Sequence, residues 1–351
     1  MNFRKLLLPL SYLYGAAASL RNFLYNTGIL MSEKFAVPVI CIGNLNAGGT
    51  GKTPHVEYII RLLKDKFTIA TLSRGYGRSS TGFLFAKPEM NAEMLGDEPL
   101  QYFLKYPEVI VSVSESRAGG IKRILSKHPG IEAILMDDAL QHRSVKAGLN
   151  ILITDYSDLF TDDTILPSGN LREPKSGYKR AGIIVVSKCP ENLSQAEKEK
   201  IISKIKPLPG QQVLFSFLKY ESPVSFHNGK EQINPAQLKE YEVLLITGIA
   251  NPSPLSEYLK SKTGAFYPMT FRDHHMFTKS DLLSAQKIFN NIASSKKILV
   301  TTEKDFMRLR KEELKKIILQ LPFYYLPVKV EFNETDKKLF DELILNYVGK
   351  N

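Results

Sequence analysis

Eight consecutive residues, Asn46-Ala47-Gly48-Gly49-Thr50-Gly51-Lys52-Thr53, have the types and spacing to hold a polyphosphate. Glycines at such positions let successive backbone N–H groups face the phosphates at a helix N-terminus. Lys52 offers charge to the outer phosphates, and Thr53 offers a hydroxyl to Mg²⁺. Asn46 stands where the strict pattern has a glycine five residues before Gly51, so this is a glycine-doublet variant of the loop. A plain surface turn would not need the apolar strand Val37 to Gly43 before it. Nor would it need the helix after it, apolar at Val56, Ile59, Ile60 and Leu63. Nucleotide binding is the working expectation.

Carboxylates and arginines at other strand ends fit the same chemistry. The run Ile131 to Met136 ends in Asp137-Asp138, where a strand-end carboxylate holds Mg²⁺ directly or through water. Gly96-Asp97-Glu98-Pro99 offers a carboxylate as general base for a substrate hydroxyl, although Asp and Glu also favour a helix's first turn. Phe271-Arg272-Asp273-His274-His275 follows a later strand; no third ligand stands at zinc spacing. Arg74, Arg78, Arg117 and Arg172 are candidates for stabilising an anionic transition state, which is what phosphoryl transfer chiefly requires. Ser187-Lys188-Cys189-Pro190 lacks the Asp of a guanine-reading loop, so ATP is expected rather than GTP.

These residues must be positioned by a scaffold, and the hydrophobic pattern supplies one. Apolar strands are expected at 67–72, 109–113, 131–136, 149–154 and 182–186, alternating with helical stretches. That alternation argues for an α/β fold: a P-loop NTPase-like, doubly wound, mostly parallel sheet, whose ligands sit beyond the carboxyl ends of its strands. The pattern changes near Pro207-Leu208-Pro209-Gly210. Residues 212–226 read as extended. Strands then follow at 242–247, 265–270, 297–301 and 324–330, with helices at 253–262 and 336–347. Four parts are expected: an N-terminal amphipathic helix region (1–32), a P-loop domain (33–210), a linker ribbon (211–226) and a second, smaller α/β domain (227–351).

Composition narrows the partners. The formal charge of +11 favours anionic ones, but it is spread along the chain without an Arg-rich arm, so nucleic acid is not expected. Cys41 and Cys189 form no CxxC pair and fit a reducing compartment. Residues 6–20 carry no charge, yet 15 residues are too few to cross a bilayer as a helix. As a helix, Leu6, Leu10, Leu13, Ala17, Leu20 and Leu24 share one stripe, and Arg4, Ser11, Gly15, Asn22 and Asn26 the opposite one. A cleaved signal peptide needs no such polar stripe. The pattern alone leaves open whether the apolar stripe meets a membrane interface or the protein's own core.

Taken together, the clusters resemble the tetraacyldisaccharide 4′-kinase family. The resemblance runs from Pro9-Leu10-Ser11-Tyr12-Leu13-Tyr14-Gly15 through the phosphate loop, Ser73-Arg74-Gly75-Tyr76-Gly77-Arg78, Gly96-Asp97-Glu98-Pro99 and Asp137-Asp138 with Gln141-His142. It continues through Leu171-Arg172-Glu173-Pro174, Asn251-Pro252, Asp273-His274 and Thr302-Glu303-Lys304-Asp305. Ala139-Leu140 departs from the family's usual Gly-Phe and leaves the flanking motif intact. The resemblance implies ATP- and Mg²⁺-dependent phosphorylation of the 4′-hydroxyl of a lipid disaccharide, at the cytoplasmic face of the bacterial inner membrane, without an obligatory protein partner. By matching position, Asp97 would be the base, paired with His274 from the second domain. Thr53, Asp137, Asp138 and Glu173 would surround the metal, Arg172 and Arg117 would stabilise charge, and the N-terminal helix would meet the membrane. The competing expectation is a P-loop ATPase switch of the partitioning or metal-insertion kind. Those carry a Lys just before the glycine doublet, where this chain has Ala47.

Overall fold

The first strand, β1 (Val39–Gly43), shows why these residues form a sheet covered on both faces. Val39 and Cys41 join one hydrophobic core, and Ile40 and Ile42 join another on the opposite side. Strand side chains alternate between faces, so a strand apolar at every position needs cover on both. Both isoleucines are fully buried; truncating either to Ala is expected to cost about 2–5 kcal/mol. The protein is described here from a computed structural model covering residues 3–227 and 229–350. Met1, Asn2 and Asn351, at the two ends of the expected parts, and Asn228 lie outside the described residues.

Among the described residues two sheets form. Strands β2 (Ile69–Ser73), β3 (Leu84–Phe85), β4 (Ile110–Val113), β5 (Ala133–Asp137), β6 (Leu149–Asp155), β7 (Ile183–Ser187) and β8 (Gln212–Tyr220) join β1 in the larger one. The smaller one contains β9 (Val224–Ser225), β10 (Glu242–Thr247), β11 (Ala265–Thr270), β12 (Lys297–Thr302) and β13 (Phe323–Leu326). A last strand, β14 (Val328–Phe332), returns to the larger sheet. The orders are β14-β8-β7-β6-β1-β5-β2-β4-β3 and β11-β10-β12-β13-β9. Pairing is parallel except at β14–β8, β4–β3 and β13–β9. β1 lies between β5 and β6, and the chain fills the β5 side with β2 to β5 before crossing β1 to β6, a switch point at the carboxyl ends of the strands, where such sheets bind ligands.

The helices are α1 (Leu8–Asn26), α2 (Lys52–Leu63), α3 (Ala92–Leu95), α4 (Asp97–Lys105), α5 (Arg117–Lys127), α6 (Gln195–Ile205), α7 (Ser253–Lys262), α8 (Lys279–Asn291), α9 (Glu303–Leu309), α10 (Glu312–Ile318) and α11 (Glu334–Gly349). Pro54 costs α2 no hydrogen bond, because first-turn N–H groups have no partner within the helix. Leu95 and Leu100, from α3 and α4, share a small core with Met307 of α9, which ties the two sheets together at the crevice.

Two segments depart from the expected division. The linker ribbon 211–226 instead supplies β8 to one sheet and β9 to the other, because its alternating apolar residues meet open strand edges on both. The single strand expected over 324–330 splits at Pro327, which has no N–H for a ladder, and its halves enter different sheets. The chain end therefore lies with the larger sheet, where Phe340, Ile344 and Val348 of α11 pack into the core that holds Ile59 and Ile60 of α2.

Candidate active site

Asn46 and Ala47 open the glycine-rich loop and are pinned by a later segment. Asn46 Nδ2 donates to Asp163 Oδ2 at 3.0 Å, and the Ala47 N–H to the Asn170 carbonyl at 2.6 Å. Thr50 is buried and its hydroxyl accepts from Asn44 Nδ2 at 3.1 Å. Gly51 ends the loop at φ 87°, a left-handed conformation that favours glycine, and a side chain there would also meet Ser187 Oγ. Gly48 and Gly49 remain exposed between these anchors. Lys52 and Thr53 begin α2, so their N–H groups have no partner within the helix and its positive end faces the crevice. Lys188 at the end of β7 closes the loop from outside, donating to the Gly49 carbonyl at 2.5 Å and to Asp155 at 2.7 Å.

One charged cluster stands beside that helix start. Asp138 carries φ 47°, uncommon for a residue with a side chain, and is held there by cations. Arg172 Nη1 donates to both its oxygens at 2.9 and 2.8 Å, and Lys52 Nζ lies 3.5 Å away. Burial pushes the Asp138 carboxyl up, but Lys52 and Arg172 outweigh it and hold the group below its ordinary range. Burial pulls Lys52 down. Asp137 behaves differently: burial, then the Glu98 and Asp138 charges, push it up to about 6. Its Oδ2 accepts from the Tyr102 hydroxyl at 3.0 Å, while its Oδ1 is buried without a partner. Arg117 at the start of α5 is fully buried, and its Nε and Nη2 are likewise without partners. Burial lowers it to about 10 against the opposing pull of Asp137 and Asp138.

The second cluster joins the two sheets. Gly75 and Gly96 pack backbone to backbone, so that a side chain on either would clash, and this seats Asp97 at the first turn of α4. Asp97 is buried, and its Oδ2 lies 3.2 Å from His274 Nδ1 and accepts from Arg308 Nε at 2.8 Å. His274 sits at φ 56°, fixed by its N–H donating to the Gly248 carbonyl and to Asp273. Arg308 Nη1 also donates to the Gly248 carbonyl, and Asp305 accepts from the Gly248 N–H, so one strand-end glycine organises the whole corner. Next to it Lys304 pairs with Glu98 at 2.5 Å. Lys105 bridges Glu57 on α2 and Glu303 on α9, at 2.7 and 2.8 Å.

The structure thus brings Lys52, Asp138 and Arg172 together, with Arg117 and Asp137 within their field, and joins Asp97 to His274. Glu173, expected among the metal ligands, is engaged elsewhere. It is fully buried and accepts from Asn22 Nδ2 at 2.8 Å, Gln141 Nε2 at 2.9 Å and Arg180 Nη2 at 2.7 Å, so both oxygens are already satisfied. Arg78 pairs with Glu115 rather than with an acid of the crevice. Among the described residues no group of three or more His, Cys, Asp or Glu side chains gathers as a metal site. A Mg²⁺ held by one or two protein groups, phosphates and water needs none. Sequence reasoning missed Tyr102 and Arg308, and weighed Lys188 only as part of a guanine-reading loop. Arg308 falls one helical turn after Lys304, and that spacing was the sole signal available.

The family profile for tetraacyldisaccharide-1-P 4′-kinase matches residues 3–348. The tetraacyldisaccharide 4′-kinase of Flavobacterium johnsoniae is 48% identical over 348 residues, 99% of this chain and 98% of that protein. That of Bacteroides thetaiotaomicron is 43% identical, over 100% of this chain and 95% of that one. The crystal structure of LpxK from Aquifex aeolicus in complex with ATP superposes with a TM-score of 0.75 at 30% identity, covering 99% of both chains.

Proposed function

The chain belongs to the tetraacyldisaccharide-1-P 4′-kinase family, and we propose that it transfers the γ-phosphoryl group of ATP to the 4′-hydroxyl of a tetraacylated glucosamine disaccharide 1-phosphate. The observation that carries the reading is the Asp97–His274 contact, which bridges the two sheets beside the helix start bearing Lys52. A partner-driven ATPase switch is set aside, because a kinase family and kinase relatives match nearly the whole length.

In this scheme the backbone N–H groups of Gly48, Gly49, Gly51, Lys52 and Thr53, together with the Lys52 ammonium, hold the phosphates in line with the acceptor. Asp97 takes the 4′-hydroxyl proton as the new O–P bond forms and the bond to ADP breaks, while His274 Nδ1 orients its carboxylate. Arg172 and Arg117 offset charge on the transferring group; the unpartnered nitrogens of Arg117 leave it free to do so. The donor set fits Mg²⁺, which Asp137 Oδ1, a buried acceptor without a partner, would hold with the Thr53 hydroxyl; Asp138, whose two oxygens already accept from Arg172, would stand beside it. Mg²⁺, when bound, neutralises charge on the phosphate oxygens.

An acceptor with several acyl chains stays in the bilayer, since each buried CH₂ is worth about 0.8 kcal/mol. The enzyme must meet it there, and α1 supports that. Its polar stripe faces the protein: Ser11 accepts from the Ser168 N–H, Asn22 donates to Glu173 and Asn26 accepts from Arg143. Leu10, Leu13 and Leu20 on the other stripe are 53%, 70% and 59% exposed. No helix among the described residues is long and apolar enough to cross a membrane. The helix accordingly lies at the interface, at the cytoplasmic face of the bacterial inner membrane where ATP is available. The test is ADP release by the full chain with and without a tetraacylated disaccharide 1-phosphate in mixed micelles. Acceptor-dependent turnover supports the reading, and turnover indifferent to the acceptor overturns it.

A further inference from the structure

A cavity of about 600 Å³ opens where β3 meets α5, at the outer edge of the larger sheet. Phe83, Phe85 and Met90 are half-buried along its floor, with the two phenyl rings packed edge to face at 4.8 Å. Lys87, Lys122, Arg123 and Lys127 stand exposed around them, and no acid lines the cavity among the described residues. The volume is that of a site for a bound molecule, and the lining is that of an amphiphile site: apolar below, cationic at the mouth.

Two further relations identify the occupant. Lys122 Nζ lies 2.9 Å from the Glu33 carboxylate. Glu33 follows Ile29, Leu30 and Met31 with Ser32 between, and these three are 67%, 37% and 86% exposed just beyond the end of α1. The cavity therefore opens beside the segment that meets the bilayer in the proposed reading. At the same time α5 sets it apart from the reaction. Arg117 begins that helix beside Asp137, whereas residues 122–127 lie roughly 8–15 Å further along it. We propose that this cavity binds an anionic phospholipid of the membrane, one acyl chain along Phe83, Phe85 and Met90 and the phosphate among Lys87, Lys122, Arg123 and Lys127. The inference rests on the membrane contact of α1 and adds a second, charge-selective anchor.

The test uses the full chain on vesicles of phosphatidylcholine and phosphatidylglycerol that contain no disaccharide, with a photoreactive diazirine on the phosphatidylglycerol acyl chain. Crosslinks are expected on residues 83–90 and 122–127 as well as on α1. Ser126→Trp, which fills the cavity from an exposed position, should abolish the former and keep the latter. Lys87→Glu with Lys127→Glu should weaken partition onto the mixed vesicles roughly tenfold and leave pure phosphatidylcholine binding unchanged. Crosslinks on α1 with none in the cavity overturn the cavity and leave the membrane reading standing. Crosslinks on neither overturn both. Cavity crosslinks that require added disaccharide assign the cavity to the acceptor and overturn the phospholipid assignment.

Discussion

Arg308 Nε donates to Asp97 Oδ2 at 2.8 Å, across 211 residues of sequence and from the second sheet to the first. The Arg308 side chain is fully buried and also pairs with Asp305 at 3.1 Å. Removing a buried cation strands its carboxylates, so Arg308→Met should cost roughly 3–5 kcal/mol of stability. Denaturant unfolding checks this, and an unchanged midpoint would refute the structural role. Turnover should fall with it, because Asp97 loses the partner that fixes its carboxylate.

Asp97 acts on the reacting hydroxyl in the proposed scheme and touches no phosphate-loop residue. Asp97→Asn should lower kcat about 100- to 10,000-fold and leave the KM for ATP little changed. Steady-state kinetics with the lipid acceptor decide the point; near-normal turnover would remove Asp97 as the base.

Asp137 gives a signed pH dependence. Its carboxyl is pushed from 3.8 up to about 6 in the fold, by burial first. Between those values the folded protein keeps a proton the unfolded chain has released, so this group's contribution to stability falls as pH rises through the window. The penalty is complete above about pH 6 and amounts to about 3 kcal/mol for a shift of about two units. Asp137→Asn should therefore be the more stable protein at neutral pH in nucleotide-free buffer, with the gain vanishing toward pH 4. Urea titrations across that range measure it, and a variant destabilised equally at all pH values would contradict it.

Glu173 is spent on Asn22, Gln141 and Arg180. Glu173→Ala should lower stability by roughly 3–5 kcal/mol, since Arg180 loses its buried partner. The dependence of turnover on Mg²⁺ concentration should not shift in the protein that remains folded. A shift of that titration to higher Mg²⁺ concentrations would return Glu173 to the metal.

The exposed leucines of α1 give the opposite dissociation. Leu13→Ser with Leu20→Ser should change stability by only about 0.5 kcal/mol per site, because both side chains already face solvent. Flotation on vesicles should fall more than tenfold if each leucine buries there for about 1.5–3 kcal/mol. Equal flotation of the variant would place the membrane contact elsewhere.

Local signals account for much of this protein. The loop at residues 46–53, the strand before it and the helix after it are readable from residue types, because backbone N–H direction and apolar period are properties of neighbouring residues. The two stripes of α1 are equally legible as a pattern. Which stripe faces inward was not, because that depended on acceptors and donors at Ser168, Glu173 and Arg143 waiting for the polar one. The ribbon at 211–226 was legible as extended chain, yet only the open edges of two sheets decided that its parts would pair in each.

The same boundary runs through the site. Sequence alone determined that a glycine-rich loop, a strand-end acid pair and an Asp and a His at turn positions exist in this chain. Tertiary structure decided their company: His274 meets Asp97 across 177 residues, Arg308 joins them, and Glu173 turns away to the N-terminal helix. The physical reason is that hydrogen-bond direction and hydrophobic period are written over a few residues, while a buried charge finds its partner through the packing of elements far apart in the chain.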